Sequence, residues 1–527
     1  MNAKRHALDK PTQAILVACL LTGLLLSSLD TSIVSTSLIT ISHDLSDFVN
    51  APWIILAYLL TYMGFAVFVS RLSDVYGRKT IVMFSWTLFV AFSLGCASAQ
   101  SMMSLIICRA FQGIGASGLY SLTQISILEV GPAHRPSLIG AMIGATLAVA
   151  FVLGPIVGGT VSQLSSWRWL FNMNIPVGLV VMLILANFWP HDDAPHILSL
   201  SALRSIDFLG SIALLLGSGL LVFAMQQAGS WTMSWADPVI ISSLVLSCVS
   251  WAAFVYRQMR LGSNRKSTIE PIFPVRLMSC RVYLSGLLVT FLTGFSYIAL
   301  CVELPERFQI IYSQNSLIAG VHVLPLLAAC AFGSFLGGAI SSKSNKTSYT
   351  LIAASLLQLL GVSLLSLSSS EILPSQSQYV FQAIFGLGVG LSLSASTIIT
   401  SLVATGDHER AAAQGAVAQA RVLGGCLGLS TCTIIYNSRL GSFLSDTLTS
   451  EQLSELRRFP VSETRLPTSI LELVQTIHAV AYTEEFKVMA MVCIPMVAIS
   501  LFTLESSPAS LALLGGPKRA ELPLSGR

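Results

Sequence analysis

The sequence predicts an all-α integral membrane protein of about fourteen spanning helices, and three observations predict it. Of its 527 residues, 54% are hydrophobic and only 10% are charged, whereas a soluble domain carries roughly 25% charged residues to meet water. The apolar residues gather in runs near the ~20 residues that cross a bilayer as a helix. The charges lie between those runs and are distributed unequally between the two sides.

The runs fall near 14–41, 52–70, 80–99, 102–127, 137–161, 173–190, 208–226, 238–256, 282–302, 317–340, 349–368, 379–402, 411–436 and 486–504. The first begins behind Lys4, Arg5 and Lys10 but is too long for a cleaved signal, so it is read as a retained span. An even number of spans puts both termini on one side. With that side cytoplasmic, the inner segments hold twenty Lys and Arg, among them Arg71, Arg78, Lys79, Arg257, Arg281 and Lys346. The short outer loops hold only Arg168 and Arg307, so the positive-inside rule places both ends in the cytoplasm. The long segment 437–485 is then extracytoplasmic, and Thr449-Ser450-Glu451-Gln452 opens a short surface helix there. The sequon Asn345-Lys346-Thr347 is cytoplasmic and expected to stay unglycosylated.

Several function classes drop out. The net charge of +4 is scattered among short clusters and forms no basic stripe for nucleic acid. Nearly all ten cysteines lie inside apolar runs without zinc-type spacing, so they read as small buried hydrophobes; no metal or other cofactor is expected. No Walker A motif is present, and no catalytic cluster of the common hydrolase types.

The first span reads Leu29-Asp30-Thr31-Ser32-Ile33-Val34-Ser35. An ionised acid at that depth costs ~2.5–3.5 kcal/mol on insertion scales, so Asp30 either faces a cavity as a proton or cation site or is bonded to a neighbouring helix. Span four reads Leu105 to Gly118 as L-I-I-C-R-A-F-Q-G-I-G-A-S-G. Arg109, Gln112, Tyr120 and Thr123 there follow helical spacing and share a face. Arg109 is read as a partner that alternates with an acid or as a fixed structural cation. Between spans two and three stands Ser70-Arg71-Leu72-Ser73-Asp74-Val75-Tyr76-Gly77-Arg78-Lys79. Span five carries Ala150-Phe-Val-Leu-Gly154-Pro155-Ile-Val-Gly158-Gly159, whose small residues at every fourth position form a close-packing seam. After it comes Trp167-Arg168-Trp169-Leu170-Phe171-Asn172-Met173-Asn174-Ile175-Pro176.

In this order these motifs resemble those of the major facilitator superfamily, in its fourteen-spanner drug:proton antiporter branch, and the later segments look like fungal toxin and secondary-metabolite efflux carriers. Departures are Ser70 for a family glycine, Ser35 and Ile39 for a family Asn and Pro, and Ala150 for a glycine. The resemblance implies two six-helix bundles, 1–190 and 282–505, joined by a linker with two extra helices (191–281) and followed by a cytoplasmic tail (506–527). It implies proton coupling through Asp30 and Arg109, a gating clasp at Asp74, Gly77 and Arg78 that holds the bundles together, and an antiporter motif at Gly154, Pro155, Gly158 and Gly159. Gln112, Tyr120, Thr123 and Arg421 are candidates for the substrate cavity. The implied function is export of small hydrophobic compounds in exchange for protons, by a monomer surrounded by membrane lipid and most simply in the plasma membrane, with a vacuolar or vesicle membrane as the alternative. A proton-coupled importer such as a siderophore symporter is the rival, and a non-transporting receptor or enzyme the remote one. Glu303, Glu306 and Arg307 read as a solvated outer rim, and His322 as a lone titratable group in span ten.

Overall fold

The computed structural model describes residues 9–131, 136–189, 207–230, 233–263, 269, 271–273, 275–341, 345–368, 375–404, 407–444 and 468–505. These residues form helices and the turns between them. In chain order they are α1 (Lys10–Asp44), α2 (Pro52–Tyr76), α3 (Arg78–Ala97), α4 (Met102–Val130), α5 (Pro136–Leu164), the single turn α6 (Trp169–Asn172), α7 (Asn174–Phe188), α8 (Phe208–Gly229) and α9 (Pro238–Ser263). There follow the turn α10 (Val275–Met278), α11 (Arg281–Ile311), α12 (Ser316–Ile340), α13 (Thr347–Ser368), α14 (Ser377–Val403), α15 (Asp407–Leu444) and α16 (Thr468–Leu501). In lipid every backbone polar group must be satisfied within its own segment, and unbroken helices do that. Thirteen of them, with α6 and α7 counted as one span, are long and apolar enough to cross a membrane. The 34-residue α16 is long enough as well, though it carries Glu484, Glu485 and Lys487 within it.

Helix packing shows how the chain is organised. In the first half α1 packs on α4, α5 and α7, while α4 also packs on α2 and α3, and α3 on α7. In the second half α11 packs on α14, α15 and α16, while α14 packs on α12 and α13, and α13 on α16. Matching α1–α5 and α7 in order with α11–α16 makes these principal contacts the same in both halves, though α15 also packs on α16. The contacts between the halves obey the same exchange: α5 meets α12 as α15 meets α2, and α1 meets α11. The molecule is therefore two six-helix bundles related by a pseudo-twofold axis, as expected for fourteen helices with a separate central pair. The pair, α8 and α9, packs together, and α8 lies against both α2 and α15, so it flanks the seam between the bundles.

Local chemistry fixes the ends. Gly77 joins α2 to α3 with φ 91°, a conformation that side-chain-bearing residues rarely adopt. Ser101 and Ser104 cap α4 reciprocally. At the start of α8, buried Asp207 accepts from the Gly210 amide (2.9 Å) and from Gln258 Nε2 (2.7 Å), and pairs with Arg257 on α9. Gln258 Oε1 in turn accepts from the Phe273 amide at 3.2 Å. Asp207→Ala is expected to weaken the packing of α8 on α9 by about 2–3 kcal/mol, the cost of losing hydrogen bonds to a charged group. A thermal-shift measurement on detergent-solubilised protein checks it, with Asp207→Glu as the charge-conserving control.

The segment 437–485 is shorter as a loop than the apolar pattern predicts: α15 continues to Leu444 and α16 begins at Thr468. The charges that appeared to end the last apolar run are accommodated within the helix. Glu484 pairs with Lys487 one turn on (3.0 Å) and with Arg439 of α15 (3.6 Å), and Glu485 is fully buried. The expected surface helix after Thr449 lies outside the described residues, as does the tail from residue 506.

Candidate functional site

Asp30 sits near the middle of α1 and is buried inside the first bundle, where four other helices converge on it. Arg109 of α4 donates through Nη1 to Asp30 Oδ2 and, at 2.8 Å, to Gln112 Oε1; its Nε reaches the Ile54 carbonyl of α2 at 3.1 Å. Gln112 Nε2 donates to Ser93 Oγ of α3 (2.9 Å) and to Asp30 Oδ1 (3.3 Å). Asn174 Nδ2, at the start of α7, donates to the same Asp30 oxygen at 3.3 Å. The guanidinium also lies 4.1 Å from the ring centroid of Tyr58. Both side chains of the ion pair are almost completely sealed from solvent, 1% and 2% exposed. Such a pair forms only with its remaining hydrogen-bonding capacity satisfied, and here neighbouring helices supply those partners.

The face shared by Arg109, Gln112, Tyr120 and Thr123 is split between tasks. Gln112 belongs to the Asp30 node and is buried, and Thr123 Oγ1 donates to the Leu20 carbonyl of α1 at 2.9 Å, so both serve the bundle interior. Tyr120 instead makes an edge contact with Tyr62 at 5.6 Å, and Tyr62 stacks on Tyr58 at 6.0 Å. This ladder leads from the node toward the other bundle, where Gln419 of α15, two residues before Arg421, donates to the Met63 carbonyl of α2 at 3.2 Å. The Nε of Arg421 is buried and makes no hydrogen bond among the described residues.

The glycine seam has two directions. A Cβ on Gly154 would fall 1.8 Å from Ser32 Oγ, and one on Gly158 would fall 2.5 Å from the Ile33 carbonyl, so these two let α5 lie directly on α1. Gly159 faces the other bundle: a Cβ there would be 2.5 Å from the Ser316 carbonyl and 2.6 Å from Leu317 Cα of α12. Gly320 of α12 approaches the Pro155 carbonyl as closely, 2.4 Å from an added Cβ. Around this crossing Thr40 Oγ1 meets Ser316 Oγ at 3.2 Å and Gln309 Nε2 donates to the Thr36 carbonyl at 3.2 Å. All of these lie at the end of the molecule remote from Asp74.

At the Asp74 end, Arg78 Nη2 pairs with Asp74 Oδ1 at 2.6 Å and Arg78 Nε with Glu129 of α4 at 3.2 Å, while Arg71 approaches Asp74 at 3.9 Å. Lys79 Nζ donates to the Ala186 carbonyl in the last turn of α7 at 2.9 Å. These partners all belong to the first bundle. These bonds tie α2, α3 and α4 together at this end. At the opposite end Trp167 Nε1 (2.9 Å) and Arg168 Nη1 (2.8 Å) both donate to Asp44 Oδ2, fastening the end of α1.

The outer-rim reading is overturned for Glu303 and Arg307, while Glu306 between them keeps part of its surface exposed. Glu303 and Arg307 are buried, Arg307 donating to Gln378 Oε1 (3.3 Å) and to Tyr312 Oη (3.0 Å). The apolar run appears to stop at residue 302, but α11 continues to Ile311 with its polar residues turned inward. Ser93 and Asn174 were missed as members of the Asp30 node. Asn174 had a signal in its place directly after the Trp-rich motif; Ser93, a lone hydroxyl in an apolar run, had none. His322 rests between Phe308 and Tyr379, with ring centroids 5.0 and 5.2 Å away.

The sequence profile of the Major Facilitator Superfamily matches residues 20–429. The chain belongs to this superfamily. An MFS-type transporter, FPY5, of Fusarium mangiferae is 34% identical over 503 residues, spanning 94% of this chain and 84% of that protein. Multidrug resistance protein 3 of Bacillus subtilis is 30% identical over 71% of this chain and 70% of its own. Multidrug resistance protein fnx1 of Schizosaccharomyces pombe is 28% identical over 93% and 92%. Among solved structures, an inward-facing bacterial homologue of the lysosomal transporter Spinster superposes with TM-score 0.63 at 14% identity, covering 94% of this chain and 98% of that one. A D-xylose–proton symporter gives 0.55 at 13% identity, over 90% and 97%. At such identities the likeness speaks for the fold, and it agrees with the internal two-bundle symmetry. This superfamily member is a membrane transporter and not an enzyme.

Proposed function

We propose that this transporter exports small hydrophobic compounds in exchange for protons, by alternating access about the seam between its bundles. The observation that carries the reading is the buried Asp30–Arg109 pair held by Gln112, Asn174 and Ser93. A proton arriving on Asp30 cancels its charge and leaves Arg109 to its Gln112 and Ile54 partners, so one proton rearranges the contacts of α1, α2 and α4. Those helices carry the tyrosine ladder on which an apolar ligand would lie, with Tyr120 on its first-bundle side and Arg421 across the seam. The energy suffices: about 2.3 kcal/mol per charge per 100 mV and about 1.36 kcal/mol per pH unit.

The relatives named for multidrug resistance support export of drug-like compounds, and the lysine and arginine bias supports a cytoplasmic Asp74 end with both termini inside. The same reading keeps Asp74, Gly77 and Arg78 as the gate on that side and Gly154, Pro155, Gly158 and Gly159 as the exchanger's close-packing seam. It divides the chain into 1–190, 191–281 and 282–505 and takes the unit as a monomer in the plasma membrane. The test is uptake of ethidium into inside-out vesicles energised with an acidic interior. Wild type is expected to accumulate the dye until an uncoupler is added, and Asp30→Asn to fall to the level of empty vesicles. Accumulation by right-side-out vesicles under an inward proton gradient would make the protein an importer instead.

A further inference from the structure

The second bundle has a buried ionisable site of its own on the helices that correspond to those of Asp30 and Asn174. Glu303 of α11, Glu485 of α16 and Cys432 of α15 bring one carboxylate oxygen each and a sulfur within 4.8 Å of one another, all three buried. In the first bundle the acid has Arg109. Here the ionisable group beside Glu485 is a second acid, Glu303. Neither Glu485 oxygen accepts a hydrogen bond among the described residues. Arg307, four residues beyond Glu303, donates to Gln378 and Tyr312.

A second, independent feature faces the cluster. Tyr482 is fully buried, its hydroxyl is unbonded among the described residues, and Glu306, Glu303 and Glu485 all act on it. Tyr436 of α15 lies beside it, ring centroids 5.2 Å apart, and Tyr436 Oη is hydrogen-bonded to His478 Nδ1. The buried Nε2 of His478 has no partner among the described residues. Residues 478, 482 and 485 follow the helical spacing that puts them on one face of α16. They form a polar stripe running from the acids toward the end of the molecule remote from Asp74. The titratable and charged groups around the acids are thus Glu306 on α11, Cys432 and Tyr436 on α15 and Tyr482 on α16, with Arg307 bonded to Tyr312 and His478 to Tyr436 beyond them.

Carboxylates this close in an apolar interior cannot all stay ionised without a compensating cation. We propose that Glu303 and Glu485 form a second proton-binding site, loaded from the end remote from Asp74 along His478, Tyr436 and Tyr482. Its part in coupling rests on the proton-exchange reading above; its occupancy by protons does not. A metal ion fits less well, since the cluster offers three ligand atoms where a structural zinc site takes four, and the adjoining hydroxyls and imidazole serve a mobile proton.

The experiment uses dicyclohexylcarbodiimide, an apolar reagent for protonated carboxyls, on the purified full-length protein in detergent, with peptide mass spectrometry as the readout. Wild type should carry an adduct on Glu303 or Glu485 at neutral pH that fades as the pH rises. Glu303→Gln and Glu485→Gln, checked for a monodisperse elution profile, should each lose at least tenfold of the labelling in this cluster. Absence of label on both glutamates in the folded wild type overturns the proposal. So does protection by zinc or manganese ions, which makes the cluster a metal site. Because labelling needs neither substrate nor gradient, a labelled cluster in a protein that fails the ethidium assay would sink the exchange reading while leaving this site intact.

Discussion

Arg109→Leu is expected to be among the most damaging single substitutions in the transporter. It leaves Asp30 in a dry interior with only the amides of Gln112 and Asn174 as donors. Breaking a buried pair from one side costs about 3–5 kcal/mol, because the orphaned charge keeps its desolvation penalty. The solubilised variant should unfold at lower temperature and accumulate no ethidium. The double variant Asp30→Asn, Arg109→Gln separates structure from mechanism. With neither charge present the node is neutral, and well-packed neutral replacements of buried ion pairs are often harmless to stability. Near-normal thermal stability with no proton-driven transport is the expected result. Normal proton-driven transport by that variant would remove the pair from the mechanism and leave it as a packing device.

How much of this could be read from the sequence depends on the range of the signal. Spans and motifs are local patterns, so the helices, and Asp30 and Arg109 as separate candidates, were legible, but not that the two meet. The partners that make the pair tolerable were less so, because Ser93 and Asn174 gain meaning only when α3 packs on α4 and α7 closes on α1. The same limit explains the misplaced glutamates. Charge at the edge of an apolar run usually marks the water boundary, and Glu303, Glu306 and Glu485 look like such edges one segment at a time. Only the packing of α11 against α16 brings Glu303 and Glu485 together in the interior. The contact of Arg78 with Glu129 is of the same long-range kind, since no local pattern joins α3 to the far end of α4.

The glycine seam yields the second large effect, because two adjacent residues touch different partners. Gly158→Val pushes its Cβ toward the Ile33 carbonyl inside the first bundle, and backbone cannot yield as a side-chain tip can. Overpacking of this kind costs about 1–3 kcal/mol or more, so lower thermal stability and poor yield are expected. Gly159→Val presses instead on Ser316 and Leu317 of the other bundle. The first bundle keeps its interior, and the strain falls on the arrangement in which the bundle ends remote from Asp74 are together. A penalty of about 1–3 kcal/mol on one of two arrangements shifts their ratio roughly 5- to 150-fold. Cysteines at positions 40 and 316, whose native hydroxyls lie 3.2 Å apart, report on that closure. Their cross-linking should be efficient in the otherwise wild-type protein and fall steeply with Gly159→Val, with thermal stability nearly unchanged. Equal loss of stability in both valine variants would mean that Gly159 belongs to a fixed core, and the two bundles would then not part at this crossing.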